Sequence, residues 1–239
     1  MTETGPDDAL VLAVRTALAE AADPVRAPAM QAYMKSAMPF RGVPKPRRTA
    51  ALRPVFAAHP QTDRRRWVSS IRELYDDAEF REERYAALAL LAVRDARPWH
   101  DPDLVPLLEH LVVTGAWWDL VDEVAGHHVA PLGRSYPGPM RPVVLRWAHD
   151  EDLWLRRTAI LSQLGSKAAT DRGLLAECIA PSASSPEFFL RKAIGWALRD
   201  LAHHDPDWVR AYLDQQGDRL SPLSRREAGK HLLPAAAPP

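Results

Sequence analysis

Residues 154–160 read WLRRTAI and residues 189–194 read FLRKAI, so an aromatic-Leu-Arg-basic element recurs with its second basic residues 192 − 157 = 35 positions apart. A looser copy, ERYAAL, occupies residues 83–88, and Arg84 precedes Arg157 by 157 − 84 = 73 positions, or about two periods. Such a period is close to that of two-helix HEAT-like units. The sequence therefore predicts an all-α, HEAT-like helical-repeat solenoid of about six helix pairs, whose second helices line a concave face.

Helical periodicity also dominates the rest of the chain. Two apolar stripes at spacings of three and four predict early helices: Leu10, Val11, Val14 and Leu18, then Trp67, Ile71, Leu74 and Tyr75. Three helix starts are predicted where a capping side chain precedes a proline: Asp101, Ser185 and Asp205. Ser224 followed by Glu227 matches a capping box, which predicts one more helix start.

Length and composition fit a soluble globular protein, with 239 residues, 46% hydrophobic and 26% charged. We expect one domain over residues 1–233 and a disordered tail over residues 234–239, with the proline-rich residues 137–139 as the hinge or domain boundary. No apolar run approaches the ~20 residues that a bilayer span needs. The acidic start lacks the basic residues of a secretory signal, and the chain has a single cysteine, so we expect a cytoplasmic protein.

The net charge is zero, which does not by itself indicate a nucleic-acid partner. Arginines nevertheless make up 31 − 5 = 26 of the basic residues, and arginine suits bidentate phosphate contacts. A general compositional bias explains the same count. Adjacent histidine pairs diverge on a helix and do not chelate one ion, so we assign no metal.

The segment AWWDLVDEV at residues 116–124 places two tryptophans on different helix faces. Trp117, Val121 and Val124 form an apolar stripe, which explains Trp117 by core packing. Trp118 instead has Asp122 as its i+4 neighbour, so an indole and a carboxylate share another face. An indole wedged into the next repeat beside a solvated carboxylate is the alternative explanation.

A second predicted helix face also combines an indole with charged side chains. Lys192, Trp196 and Arg199 fall at i, i+4 and i+7, so they share this face. Arg157 occupies the position in its repeat that Lys192 occupies in the next, so the two are expected on one side of the array. This combination suits an anionic polymer that carries a cationic target. The cations would hold phosphates, the indoles would present their π faces, and the acid would stabilise positive charge. A solvated charged face is again the alternative.

These motifs carry a resemblance to the AlkD-type DNA alkylation-repair glycosylases, which are built from HEAT-like repeats. The segments that carry it are residues 33–35 (YMK), 113–122 (VTGAWWDLVD), 154–161 (WLRRTAIL), 187–199 (EFFLRKAIGWALR) and 222–228 (PLSRREA). The resemblance covers most of the chain, and the extra prolines between Pro39 and Arg48 depart from it.

The resemblance implies a catalytic set of Asp122, Trp118 and Trp196. It also implies DNA contacts, which are Arg157, Tyr33, Lys35, Arg48, Lys192 and Arg199. The expected activity is hydrolysis of the N-glycosidic bond of N3- and N7-alkylated purines in duplex DNA, without base flipping, cofactor or metal. We expect a monomer in the cytoplasm, associated with the nucleoid and not with a membrane. A catalytically silent module that binds DNA or protein is the alternative, and a protein-interaction scaffold is a third.

Overall fold

The computed structural model describes residues 5–232, and within this range the chain forms fourteen α-helices joined by turns and short 3-10 or π segments, without strands. The prediction of an all-α protein is therefore confirmed. None of the helices in this range is both long and apolar enough to cross a bilayer. The tail expected at residues 234–239 lies outside the described residues.

The contacts divide the chain into two compact units, with the boundary in sequence between His100 and Asp101. The first unit contains α1 (Asp8–Glu20), α2 (Ala27–Met34), α3 (Lys45–Ala58), α4 (Arg64–Asp76) and α5 (Arg81–Leu91). The second contains α6 (Val105–Gly115), α7 (Trp118–Val124), α8 (Ala130–Ser135), α9 (Pro137–Ala148), α10 (Leu153–Leu161), α11 (Arg172–Ile179), α12 (Phe188–Ala202), α13 (Pro206–Gln216) and α14 (Pro222–Ala228). The single-domain organisation over residues 1–233 stays a prediction.

The first unit is built on the two stripes that the sequence predicts. All eight residues of those stripes are buried, on α1 and α4. The Asp7 carboxylate caps α1 by accepting from the Leu10 N–H at 3.1 Å, and Asp63 caps α4 through the Arg66 N–H at 2.8 Å. Capping satisfies N–H groups that a helix start otherwise leaves unpaired.

A buried glutamate organises the connection between α2 and α3. Glu82 is fully buried, and its carboxylate accepts from the backbone N–H groups of Arg41, Gly42 and Val43 at 2.9–3.0 Å. Gly42 has φ +83°, and a Cβ there would lie 2.1 Å from the Asp23 carbonyl oxygen. This stretch falls in the proline-rich segment that departs from the resemblance, and it is ordered by a long-range contact.

Three helix boundaries differ from the sequence prediction. Residues 137–139 form the first turn of α9, where proline needs no N–H partner, so they are not a domain boundary. α12 begins at Phe188 with Glu187 as its N-cap residue, instead of directly after Ser185. α14 is capped by Ser221, whose Oγ accepts from the Ser224 N–H at 3.0 Å, so Ser224 is not the cap.

The helix pair α12 and α14 packs closely through one glycine. A Cβ on Gly195 would lie 2.5 Å from the Glu227 Cβ and 3.0 Å from the Ser224 carbonyl oxygen. Ser224 Oγ also donates to the Arg191 carbonyl oxygen at 2.9 Å. These contacts fix α14 against the backbone of α12.

We therefore expect Gly195→Ala to lower the free energy of unfolding by about 1–3 kcal/mol, because the added methyl group forces the two helices apart. The matched control is Gly126→Ala, since no neighbouring atom lies within 4 Å of a Cβ built there. Urea denaturation of both variants measures the difference. A Gly195→Ala protein as stable as the control would contradict this account of the packing.

Candidate active site

Helix α7 places Trp118 and Asp122 one turn apart. The chain turns sharply before it, because Ala116 has φ +43° and Trp117 is extended. Trp117 is therefore the N-cap residue of α7. The spacing predicts a helical stripe that contains Trp117 and Val121, and this prediction is wrong because Trp117 precedes the helix. Trp118 is half-buried in the first turn, and the Asp122 side chain retains 15% of its exposure.

Asp122 forms a two-pronged ion pair with Arg157 of α10. Arg157 Nε donates to Asp122 Oδ1 at 2.8 Å, and Nη2 donates to Oδ2 at 2.9 Å. The third nitrogen, Nη1, donates to the backbone carbonyl of Phe189 on α12. The guanidinium is buried, so the pair connects three helices.

Burial raises the pKa of Asp122 above the usual 3.8 of an aspartate. The guanidinium of Arg157 opposes that rise without cancelling it, and the nearby charge of Asp119 adds to it. An acid in this environment is more easily neutralised by falling pH than a solvated aspartate.

Helix α12 supplies most of the other residues of the site. A cavity of about 300 Å³ is lined by nine residues of the second unit: Trp118, Asp122, Arg157, Phe188, Phe189, Lys192, Trp196, Arg199 and Glu227. The structure thus brings together the three residues expected to be catalytic and three of the expected DNA contacts, namely Arg157, Lys192 and Arg199. Their role in DNA binding stays a prediction.

An aromatic cluster adjoins the cavity. The Trp117 ring lies 5.4 Å from that of Phe189 and 6.2 Å from that of Trp154, centroid to centroid. Trp154 and Phe189 are themselves 5.0 Å apart, and Phe188 lies edge-on to Phe189 at 5.4 Å. This packing fixes the start of α12, and it accounts for the aromatic position of the repeated sequence element.

Glu227 of α14 is the second acid at the cavity. It pairs with Arg199 Nη1 at 2.9 Å, with Lys192 Nζ at 3.2 Å and with Lys230 Nζ at 2.9 Å. Hydrogen bonds from Lys230 and Lys192 lower the pKa of Glu227 to about 2, against the effect of burial. Glu227 therefore stays ionised throughout the range in which proteins work.

Sequence reasoning missed three lining residues, which are Phe188, Phe189 and Glu227. The sequence indicates Phe189 only as part of the repeated element. The sequence pattern predicts Glu227 as part of a capping box, but its partners are Lys192 and Arg199 of α12 and the nearby Lys230. The recurrence of the aromatic residue was the one signal that pointed towards Phe189.

The remaining expected DNA contacts lie in the first unit. Tyr33 is 76% exposed near the end of α2, and Lys35 is exposed with φ +50°. The Arg48 guanidinium lies 4.4 Å from the centroid of the Tyr85 ring. Their contact with DNA stays a prediction.

Other chemistries find little support among residues 5–232. No group of three histidine, cysteine or acidic side chains in this range is arranged to hold a metal ion. Cys178 is buried, and burial raises the pKa of its thiol to about 12. A reactive thiolate is therefore not available there at neutral pH.

The ion pair makes a stability prediction. Arg157→Met leaves the Asp122 charge without its partner, and we expect the free energy of unfolding to fall by about 3 kcal/mol. Arg156→Met, on the same helix, is the matched control and changes stability by less than about 1 kcal/mol. Adding Asp122→Asn to Arg157→Met recovers part of the loss, because no charge is then stranded. Equal urea midpoints for the two methionine variants would rule this account out.

This chain is similar to a known protein family and to a solved structure. A solved structure from Enterococcus faecalis, described as a predicted DNA alkylation repair enzyme, is 29% identical to this chain. The match covers 90% of this chain and 98% of that one, with a TM-score of 0.80. No curated protein matches the sequence. The family model for DNA alkylation repair enzymes matches residues 14–232, and the chain therefore belongs to that family.

Proposed function

We propose that the protein is a DNA glycosylase that hydrolyses the N-glycosidic bond of N3- and N7-alkylated purines in duplex DNA. The observation that carries the proposal is the meeting of Trp118, Asp122 and Trp196 in one cavity of about 300 Å³. Within this proposal the protein acts as a monomer in the cytoplasm, on nucleoid DNA, without a cofactor.

The chemistry of the substrate matches a site with one usable acid. Alkylation at N3 or N7 gives the purine a positive charge and weakens its bond to C1′ of the sugar. When that bond breaks, its electron pair goes to the base, which leaves as a neutral molecule and needs no proton from the protein. The sugar becomes oxocarbenium-like, and water adds to C1′ and releases a proton.

Asp122 is suited to stabilise that developing cation. Each of its two oxygens accepts one hydrogen bond from Arg157 and keeps one further lone pair. Asp122 lines the cavity with a partly exposed side chain, which suits it to face the sugar and to orient the attacking water. Arg157 holds the carboxylate in one orientation, so no reorganisation is needed during the reaction.

Trp118 and Trp196 contribute the π faces of their indoles. A cation over an indole gains about 0.5–2 kcal/mol. Since each ~1.4 kcal/mol corresponds to a factor of ten in rate, two such contacts give modest acceleration. The activity is then limited to bonds that are already labile, which favours cationic lesions over normal or neutral damaged bases.

Lys192 and Arg199 are the proposed contacts to the DNA backbone at the cavity. Their side chains retain 38% and 26% of their exposure, so both are accessible from solvent. Arg157 is buried and bonded to Asp122 and Phe189, so a phosphate reaches it less easily than it reaches Lys192 or Arg199. Gripping the duplex by its backbone allows hydrolysis without extruding the base, unlike most glycosylases.

Base release from duplex DNA that contains N7-methylguanine tests the proposal. We expect Asp122→Asn to slow single-turnover release by about 100-fold, because the charge that stabilises the transition state is lost. Trp118→Ala and Trp196→Ala each slow it by about 3- to 30-fold. Asp214→Asn, an exposed acid on α13, is the control and retains full activity.

Three outcomes would contradict parts of the proposal. Full activity of Asp122→Asn overturns the assigned mechanism. Wild-type protein that binds DNA but releases no base from any alkylated duplex indicates the catalytically silent alternative. Failure to release lesions too large for a 300 Å³ cavity argues against hydrolysis without base flipping.

The environment of Asp122 also predicts a pH dependence. Because its pKa is raised and the carboxylate must be ionised, the rate falls as the pH drops through that pKa, at a higher pH than for a solvated aspartate. Glu227 does not contribute, since its pKa is about 2. Single-turnover rates from mildly acidic to neutral pH measure this limb. The same limb in Asp122→Asn would show that another group is responsible.

A further inference from the structure

We propose that Glu227 is a positioning residue that holds Lys192 and Arg199 at the cavity wall in the arrangement that receives backbone phosphates. This inference rests on the DNA contact that the proposed function assigns to these two cations. Glu227 itself, being an anion, is not a phosphate ligand.

The bonding pattern keeps the two cations in defined places. Lys192 and Arg199 lie seven residues apart on α12, so their Cα atoms are separated by about 10 Å along the helix. Arg199 bonds to Oε2 of Glu227 and Lys192 to Oε1, so one carboxylate draws both heads towards the same part of the wall. Each cation uses one N–H for this bond, and a lysine has three and an arginine five.

Burial and charge place the anion behind the cations. The Glu227 side chain retains 9% of its exposure, while both partners at the cavity are several times more exposed. With Lys230, the cluster carries three positive charges and one negative charge, 3 − 1 = +2. A phosphate that approaches from solvent therefore meets the cations first.

The position of Glu227 is itself fixed by the backbone. Its Cβ lies against Gly195 of α12, where no larger residue fits. Ser224, one turn earlier on α14, is bonded to the Arg191 carbonyl. The carboxylate is therefore presented from a rigid helix pair, and its bonds to the two cations require little further ordering.

Preorganisation gives this arrangement its effect on binding. Long basic side chains lose rotamer freedom when they bind a phosphate, and side chains that are already held lose less. The bonds to Glu227 thus transfer the ordering cost of Lys192 and Arg199 from DNA binding to folding. A simple charge argument predicts the opposite, since an anion beside a DNA surface weakens attraction.

Glu227→Gln separates the two accounts by the sign of the effect. We expect the Kd of this variant for an undamaged duplex to rise about two- to tenfold. The slope of log Kd against log salt concentration should fall by about one. Both changes are expected although the loss of a carboxylate makes the net charge of the protein more positive. Glu151→Gln, an exposed glutamate on the second unit, removes the same charge and leaves the Kd unchanged or lower. Tighter binding by Glu227→Gln would overturn the inference.

A double-mutant cycle distinguishes positioning from a general loss of structure. In the Lys192→Gln/Arg199→Gln background, Glu227→Gln should change the Kd no further, because the groups it holds are gone. A loss of the same size in that background would assign Glu227 a merely structural role and overturn the inference. If Glu227→Gln does not fold, Glu227→Asp carries the test, since it keeps the charge but withdraws it by one methylene. Weaker binding by the folded aspartate variant then supports the inference, and wild-type binding overturns it.

These readouts keep the two proposals separate, because binding uses undamaged DNA and catalysis uses N7-methylguanine DNA. If the wild type binds DNA without releasing base, the glycosylase function fails and the sign of the Glu227→Gln effect still decides the inference. If the wild type binds no duplex at all, the inference fails as well.

Discussion

The ion pair between Asp122 and Arg157 is the interaction on which the candidate site depends. Burying two charges is costly, and the cost is offset only when the geometry is good and the remaining donors are satisfied. Here two parallel bonds join the side chains, and the third nitrogen of Arg157 reaches the carbonyl of Phe189. Because Asp122 is on α7, Arg157 on α10 and Phe189 on α12, the same three bonds fix the helices that carry both indoles. The site and the packing of this unit are therefore one arrangement.

The pair also limits what the acid can do. A carboxylate bonded to a guanidinium has part of its charge already compensated, so its attraction for a second cation is weaker than that of an isolated acid. The proposed substrates need little assistance, since alkylation has already made the base a good leaving group. In the proposed function, Arg157 thus lowers the catalytic power of Asp122 while keeping the acid ionised and oriented in a buried place.

The sequence was informative where helix geometry alone decides the outcome. The spacing of Trp118 and Asp122, and that of Lys192, Trp196 and Arg199, follows from 3.6 residues per turn, and all five line the cavity. Periodicity does not show which side chains pair between helices, so the ion pair of Arg157 with Asp122 and those of Glu227 with cations of α12 could not be predicted from it. The N-cap of α14 is a similar case. The sequence pattern predicts Ser224 as the cap, whereas the structure has Ser221 in that place. The prolines at residues 137–139 predict a domain boundary, but they form the start of α9. Proline is common both in connecting segments and in the first turn of a helix.

The two acids at the cavity show how the surroundings assign different roles to similar groups. Asp122 faces one guanidinium and is deeply buried, so desolvation dominates and its pKa rises. Glu227 faces three cations, so hydrogen bonding and attraction dominate, and its pKa falls to about 2. Glu227 is permanently charged and surrounded by cations, so it is suited to hold these cations in place. Its negative charge is already compensated by them and attracts a cationic substrate only weakly. Asp122 has a pKa that burial raises, and its two oxygens keep one lone pair each. It can therefore interact with a positive charge that develops beside it. In the proposed function, this contrast assigns the stabilisation of the sugar cation to Asp122 and the positioning of cations to Glu227.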